Sequence, residues 1–207
     1  PNGKTMLIAW TYGHGGAWGG ACNDYDPSFD VLRMNDMKEA LMGAGGVDLV
    51  LFSAPCLMGA FESAYELREC TDVYMGSEGL SFYSFWTTVM GSISETLNAN
   101  PNIQNYELAR LIIDWMANDK NSYTLLGGMR YLTMSAVRTD RLRRLSDAID
   151  ELALGYMSDP ERFRALVEAV RKKITYFDNP SITDLNSVLL NLYEEETDIA
   201  LRITLEK

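Results

Sequence analysis

The sequence predicts an α/β fold in which a mainly parallel sheet is flanked by helices. Residues 4–12 and 47–52 are apolar runs without polar alternation, which is typical of parallel strands buried on both faces. Between them, apolar side chains at helical spacing over residues 31–42 predict a helix, which the glycine-rich residues 43–46 end. Strand, helix and strand in this order form a right-handed crossover unit. Both strands should therefore end at the same edge of one sheet.

Composition favours a soluble globular protein. The chain has 207 residues, of which 47% are hydrophobic and 23% charged, and this is enough to bury a sizeable core. Lys and Arg number 18 against 29 Asp and Glu, and the net charge of -11 repels phosphate backbones. No apolar run approaches the roughly 20 residues of a membrane helix. We therefore expect neither nucleic acid nor membrane as a partner.

A reactive residue type follows each of the two strands. His14, the only histidine, lies in a glycine-rich loop after the first strand, and Cys56 comes shortly after the second. Sites in open parallel sheets lie at the carboxyl ends of strands, so the imidazole and the thiol should converge. Apolar spacing after Cys56 predicts a helix, whose N-terminal dipole would favour a thiolate there. The alternative is an ordinary cysteine packed in the core.

The other cysteines indicate neither a disulfide scaffold nor a zinc site. Cys22, Cys56 and Cys70 cannot all pair within the chain, and none lies in CxxC spacing. With one histidine, a His/Cys metal centre is poorly supported, while a carboxylate site for calcium stays open. We expect no required metal or cofactor.

Further elements are predicted beyond the second strand. Residues 72–76 form a third predicted strand, which ends in Ser77-Glu78-Gly79 at the same sheet edge. The aromatic residues 80–86 either line a substrate cleft or pack onto the core. Apolar spacing predicts helices over residues 88–97, 106–118, 142–157, 160–176 and 183–204, and a strand over 131–137.

The C-terminal third of the chain is predicted to be helical. Glu194, Glu195 and Glu196 are expected on the exposed side of the last helix. No internal repeat or Pro/Ser-rich linker interrupts the sequence. We therefore expect one domain over residues 1–207, with a helical part over about 138–207.

Three motifs resemble the clostripain family of cysteine peptidases. Trp10 precedes the sequence His-Gly-Gly-Ala-Trp at 14–18, Cys-Leu-Met follows at 56–58 with Glu62, and Tyr-Met-Gly-Ser-Glu stands at 74–78. The resemblance covers roughly residues 4–155. It implies a caspase-like sandwich around the parallel sheet.

The resemblance also implies an activity and a set of site residues. The thiolate of Cys56 would attack a peptide carbonyl, and His14 would deliver a proton to the leaving amine. Water would then hydrolyse the thioester acyl-enzyme. The backbone N–H groups of Gly15 and Cys56 would form the oxyanion hole. The substrate would be a peptide or protein cut after Arg or Lys. A catalytically impaired binding or regulatory module of the same fold, or a different Cys/His amidase, are the alternatives.

The chain departs from the family at the expected substrate pocket. Members usually carry Asp two residues before the catalytic cysteine, where it helps to bind a basic side chain, but Ala54 stands there. Asp24, Asp26 and Glu78 are the acidic residues that could replace it.

A second departure concerns the strands that members of the family have before the histidine motif, which are lacking here. We expect an N-terminal chain or segment, or a homodimer, to complete the sheet, since an open strand edge invites pairing. The family leans towards extracellular proteins, whereas this sequence shows no readable targeting signal. A secreted and a cytoplasmic location therefore both stay open.

Overall fold

The computed structural model describes residues 6–24, 30–81, 83–118, 133–177 and 179–206. For residues 83–88, 177 and 179–181 it describes the backbone alone. The chain forms two compact units, which divide between Asp140 and Arg141. A single peptidase domain over the whole chain stays a prediction, and each unit is described by itself.

A four-stranded sheet lies at the centre of the first unit. The elements of this unit are, in chain order, β1 (Ile8–Thr11), β2 (Ala21–Asp24), β3 (Asp30–Leu32), α1 (Met34–Gly43), β4 (Val47–Phe52), α2 (Phe61–Glu66), β5 (Thr71–Gly76), α3 (Tyr83–Ala99), α4 (Asn105–Asn118) and β6 (Ser135–Arg138). The sheet order is β1-β4-β5-β6. The first three strands are parallel, and β6 is antiparallel to β5. The predicted mainly parallel sheet flanked by helices is confirmed.

The strand register brings three strand ends to one edge of the sheet. Thr11, the last residue of β1, pairs with Phe52, the last residue of β4. One position earlier, Leu51 pairs with Met75 of β5. The segments that follow β1, β4 and β5 therefore start side by side, as the crossover pattern predicts.

β4 is apolar because it lies in the core of the first unit. Its last four residues are fully buried, because helices cover both faces of a parallel sheet of this kind. One face packs against α3 and α4, and the side chains of this cluster include Leu49, Leu51, Val73, Met75, Val89, Ile93, Leu108 and Ile112.

The structure differs from the predicted elements between the first two sheet strands. Residues around 21–32 contribute an antiparallel pair, β2 with β3, in which Ala21 pairs with Leu32. The helix expected over 31–42 consequently begins at Met34, where the carboxylate of Asp36 accepts a hydrogen bond from the N–H of Arg33. Polar residues such as Asn23 and Asp24 carry no apolar alternation that would predict a strand.

The described residues of the second unit form four α-helices and a short hairpin. Its elements are α5 (Leu142–Met157), α6 (Pro160–Val170), β7 (Tyr176–Phe177), β8 (Asn179–Thr183), α7 (Leu185–Glu195) and α8 (Ile199–Leu205). The predicted helix over 142–157 is confirmed. The helix predicted over 160–176 ends at Val170, and the hairpin that follows it lacks a clear signal in the sequence.

The prediction of one last helix over 183–204 is wrong, because a buried glutamate interrupts it. Glu196 is 2% exposed and forms an ion pair with Arg162. Its Oε1 also accepts the N–H of Asp198 at 2.7 Å, and Asp198 caps α8. The expectation that Glu196 lies on an exposed face with Glu194 and Glu195 is therefore also wrong.

None of the helices in the described part of the chain is long and apolar enough to cross a membrane.

Candidate active site

The loop after β1 folds back on itself around His14. The N–H of Cys22 donates to the carbonyl of His14 at 2.7 Å, and the N–H of Gly16 donates to the carbonyl of Gly20 at 2.9 Å. These two bonds flank the antiparallel pair of Gly15 with Ala21. In a pair flanked in this way, each residue directs its own N–H and C=O away from its partner. The N–H of Gly15 therefore takes part in neither of these two loop hydrogen bonds.

The loop holds its shape through backbone conformations that favour glycine. Gly20 has a φ of 119°, and a Cβ there would lie 2.6 Å from the carbonyl oxygen of Leu32. No side chain fits at that position, so the loop can lie directly against β3. The side chain of His14 is exposed.

Cys56 lies in a turn that the segment after β5 holds in place. The N–H of Leu57 donates to the carbonyl of Gly79 at 3.0 Å, and the N–H of Gly59 donates to the carbonyl of Ser77 at 2.7 Å. Leu57 has a φ of 62°, which is outside the helical region.

The helix predicted directly after Cys56 is therefore wrong in position. Hydrogen bonds to another segment hold the backbone of the four-residue turn that starts at Cys56, and α2 begins only at Phe61. Cys56 does not lie at the N-terminus of α2, so the dipole of that helix cannot favour a thiolate there.

A buried tyrosine supports the same turn. The hydroxyl of Tyr74 donates to the carbonyl of Met58 at 2.5 Å. Burial raises the pKa of Tyr74 well above its usual range, and Ser63 opposes this effect. The hydroxyl consequently stays protonated and remains a donor.

Gly15 and Cys56 lie in direct contact. A Cβ on residue 15 would lie 3.0 Å from the backbone N of Cys56 and 2.9 Å from Cβ of Pro55, and closer still to the carbonyl oxygen of Cys56. Only glycine permits this approach. The structure thus brings the loop that carries His14 against the peptide of Cys56, which is the convergence that the strand order predicts.

The thiol of Cys56 contacts a residue that sequence reasoning missed. The N–H of Ser81 donates to Sγ at 3.2 Å, and Sγ lies 3.7 Å from the carbonyl oxygen of Ser81. The hydroxyl of Ser81 donates to the carbonyl of Ser53. Because the contact to sulfur uses the backbone, no residue type in the sequence points to it.

Ser53 joins this network to β1. Its hydroxyl accepts a hydrogen bond from Nε1 of Trp10 at 2.5 Å and donates to the carbonyl of Thr11 at 3.1 Å. Ser53 is fully buried. The sequence offers one indication of this role. Ser53 directly follows the apolar run of β4, so its hydroxyl is expected to be buried and to need hydrogen-bond partners.

The candidate substrate-binding residues lie on different segments. Ala54 is 8% exposed, two residues before Cys56. Glu78 is half-buried, and its Cγ would lie 2.8 Å from a Cβ on Gly59. Asp24 is exposed on the β2–β3 hairpin, where it lies opposite Asp30 in the strand register. Asp26 lies outside the described residues, as do all four aromatic side chains at 80–86.

All three cysteines are free. Burial raises the pKa of the Cys22 and Cys70 thiols, and these two thiols are therefore poor nucleophiles at neutral pH. Sγ of Cys70 donates to the carbonyl of Leu67 at 3.1 Å. Within the described ranges, no three His, Cys, Asp or Glu side chains are grouped so as to hold a metal ion.

Comparison with solved structures shows the fold. A secreted C11 cysteine protease from Bacteroides thetaiotaomicron, in complex with an irreversible peptide inhibitor, superposes with a TM-score of 0.62 at 17% identity, over 97% of this chain and 55% of that chain. An inactive zymogen C11 protease from Parabacteroides distasonis gives a TM-score of 0.59 at 18% identity, over 97% of this chain and 52% of that chain. The chain thus spans about half the length of these proteins.

Comparison with protein sequences identifies the family of the chain. No curated protein matches the sequence. The sequence profile of the clostripain family matches residues 1–198. The chain therefore belongs to the clostripain family, C11, of peptidases.

Proposed function

We propose that the protein is a cysteine endopeptidase in which His14 and Cys56 form the catalytic dyad. The observation that carries this proposal is the contact of Gly15 with Cys56, because it sets the residue next to His14 against the peptide of the nucleophile. Membership of the clostripain family supports it. The described part of the site thus contains an imidazole, a thiol and backbone donors on adjoining segments.

In the proposed reaction the thiolate of Cys56 attacks the carbonyl carbon of a peptide bond, and the carbonyl oxygen becomes an oxyanion. The N–H groups of Gly15 and Cys56 stabilise it, and one such donor typically contributes about 3 kcal/mol. His14 then protonates the leaving amine as the C–N bond breaks. His14 then takes a proton from a water molecule, the resulting hydroxide attacks the thioester, and the C–S bond breaks to release the Cys56 thiolate, with the proton retained on His14.

We propose a substrate with Arg or Lys before the cleaved bond. Ala54 offers no charge for such a side chain. Glu78 supplies a carboxylate on the segment that holds the Cys56 turn. The carbonyls of its neighbours Ser77 and Gly79 accept hydrogen bonds from backbone N–H groups of that turn. The net charge of -11 also favours basic peptides.

A peptide assay tests the activity. Fluorogenic peptides with Arg, Lys or Asp before the reporter are incubated with the purified protein, Cys56→Ala and Cys70→Ala. Cys70 is a matched control, because it is a free cysteine of the same unit that lies in the core. We expect cleavage by the wild type and Cys70→Ala, and a loss of at least about a thousandfold in Cys56→Ala.

Two results would reject the proposal. One is cleavage that persists in Cys56→Ala. The other is no cleavage of any peptide together with slow, unselective alkylation of all three cysteines, which would favour the binding module. Rapid Cys56 alkylation without peptide cleavage would favour a different amidase.

The partner predicted to complete the sheet stays a proposal. In the described sheet, β1 is an edge strand that pairs with β4. The relatives of known structure are about twice as long as the matched region, which leaves room for a further segment in those proteins. Light scattering over a range of concentrations tests the homodimer, and a constant monomer mass would exclude it. The relative from Bacteroides thetaiotaomicron is a secreted protein, and we propose a secreted location for this protein as well.

A further inference from the structure

We propose that Ser81 is a positioning residue whose backbone N–H holds the thiolate of Cys56 in place. The proposal deepens the proposed peptidase function and rests on it for the role of Cys56 as the nucleophile. Ser81 itself takes no part in bond making or breaking.

The contacts of Sγ suit both forms of the sulfur. The backbone N–H of Ser81 can donate a hydrogen bond to a thiolate, and its nitrogen lies 3.2 Å from Sγ. The carbonyl oxygen of the same residue lies 3.7 Å from Sγ and can accept the S–H of a thiol. Hydrogen bonds to an ionised group are about twice as strong as neutral ones. The N–H contact is therefore the stronger of the two when the sulfur is ionised.

The backbone of Ser81 is itself anchored. Its side chain is buried, with 9% of the residue exposed, and its hydroxyl donates to the carbonyl of Ser53. Ser53 is bonded in turn to Trp10 and Thr11. The donor to Cys56 therefore belongs to a hydrogen-bonded chain that reaches the strand before the His14 loop. A donor fixed in this way needs no reorganisation when the thiolate forms.

Ser81 also lies at the amino end of a long helix. α3 begins at Tyr83, two positions later in the chain, and continues to Ala99. The first turn of a helix carries a partial positive charge, which favours a nearby anion. The sequence predicts that the helix after Cys56 provides a dipole for its thiol. In the structure the sulfur instead contacts Ser81, two positions before the start of α3.

The segments that contact the Cys56 turn carry other titratable groups. They are His14, Tyr12 and Cys22 after β1, and Glu78 after β5. None of them is changed in the variants below, so their effect on the thiol is common to every sample.

The test measures the alkylation rate of Cys56 by iodoacetamide from pH 5 to pH 10, with the modified residue identified by mass spectrometry. Ser81→Ala removes the anchoring hydroxyl, and we expect about fivefold slower alkylation at pH 6. The rates should converge at high pH, where the thiolate is complete in both proteins. Ser81→Thr keeps a hydroxyl and should restore most of the rate.

Ser135→Ala is the matched control. It deletes another serine hydroxyl of the same unit that donates to a backbone carbonyl, that of Gly76 at 3.2 Å, and it should leave the profile unchanged. Ser81→Pro removes the N–H itself and serves as the second variant, with an expected slowing of about tenfold or more at pH 6. Circular dichroism establishes that each variant is folded.

The outcomes separate this proposal from the peptidase proposal. A Ser81→Ala or Ser81→Pro profile that superimposes on the wild type overturns the role of Ser81, even where peptide cleavage depends on Cys56. A displaced profile without any Cys56-dependent cleavage supports the role of Ser81 and rejects the peptidase function.

Discussion

The backbone of Gly15 lies against the peptide of Cys56, so closely that a Cβ on residue 15 would overlap the carbonyl oxygen of Cys56. Two segments separated by a whole strand-helix-strand unit thus form one small site. His14 directly precedes Gly15 in the chain, and the thiol belongs to Cys56 itself.

Gly15→Ala should therefore separate the two segments. We expect kcat/KM to fall by about 100- to 1000-fold, because the displaced backbone N–H groups no longer point at the oxyanion. The melting temperature should fall as well, because the added Cβ would overlap backbone atoms of Cys56. Gly19→Ala is the control in the same loop, because a Cβ at residue 19 would meet nothing within 4 Å. Equal activity of the two variants would show that the contact has no catalytic role.

Tyr74→Phe should destabilise the turn after Cys56. The variant leaves the buried carbonyl of Met58 without its donor, which costs about 1–3 kcal/mol in the free energy of unfolding. Urea denaturation measures this loss. Tyr106→Phe, at a side chain that is 56% exposed, should be nearly neutral.

The same hydroxyl makes stability depend on alkaline pH. Burial raises the pKa of Tyr74 in the folded protein above the ordinary value of about 10, which the unfolded chain retains. Above pH 10 the unfolded state loses this proton first, so the stability contributed by Tyr74 falls as the pH rises. The stability difference between the wild type and Tyr74→Phe should therefore shrink above pH 10; a constant difference would contradict this.

Glu78→Gln tests the acidic residue proposed for substrate selection. We expect kcat/KM for Arg and Lys peptides to fall by about tenfold, with little change for a neutral peptide, because one charge-assisted hydrogen bond is lost. Asp24→Asn is the parallel variant on the β2–β3 hairpin. A loss confined to Asp24→Asn would transfer the role to that residue.

In the second unit, Arg162→Met should be strongly destabilising. It leaves the carboxylate of Glu196, whose side chain is 1% exposed, buried without its ion-pair partner. Removal of one partner of a buried pair costs about 3–5 kcal/mol. Arg164→Met, at an arginine that is 73% exposed, is the control and should change the unfolding midpoint very little.

The sequence predicts the parts of this fold that burial imposes on residue type. β4 is predicted at its exact bounds, because helices on both faces require a continuous apolar run. The approach of the loop that carries His14 to the Cys56 peptide, seen at Gly15, follows from strand order. Both predictions depend on the apolar pattern and the order of elements along the chain, and neither requires knowledge of contacts between distant residues.

The predictions that failed depend on hydrogen bonds between distant segments. The backbone after Cys56 bonds to Ser77 and Gly79 instead of forming a helix at once. Glu196 ends α7 because Arg162, far away in sequence, pairs with it. Such partners are chosen by the folded geometry, and helix propensity is too weak to oppose them.

Covalent trapping tests most directly whether Cys56 is a nucleophile that depends on His14. The protein is incubated at neutral pH with a thiol-reactive peptide that carries Arg or Lys next to the electrophile, and the labelled residue is identified by mass spectrometry. We predict one label per chain, on Cys56, with a rate that falls at least about a hundredfold in His14→Ala. Labelling of Cys22 or Cys70 at a similar rate, or labelling of Cys56 that is unchanged in His14→Ala, would contradict the account.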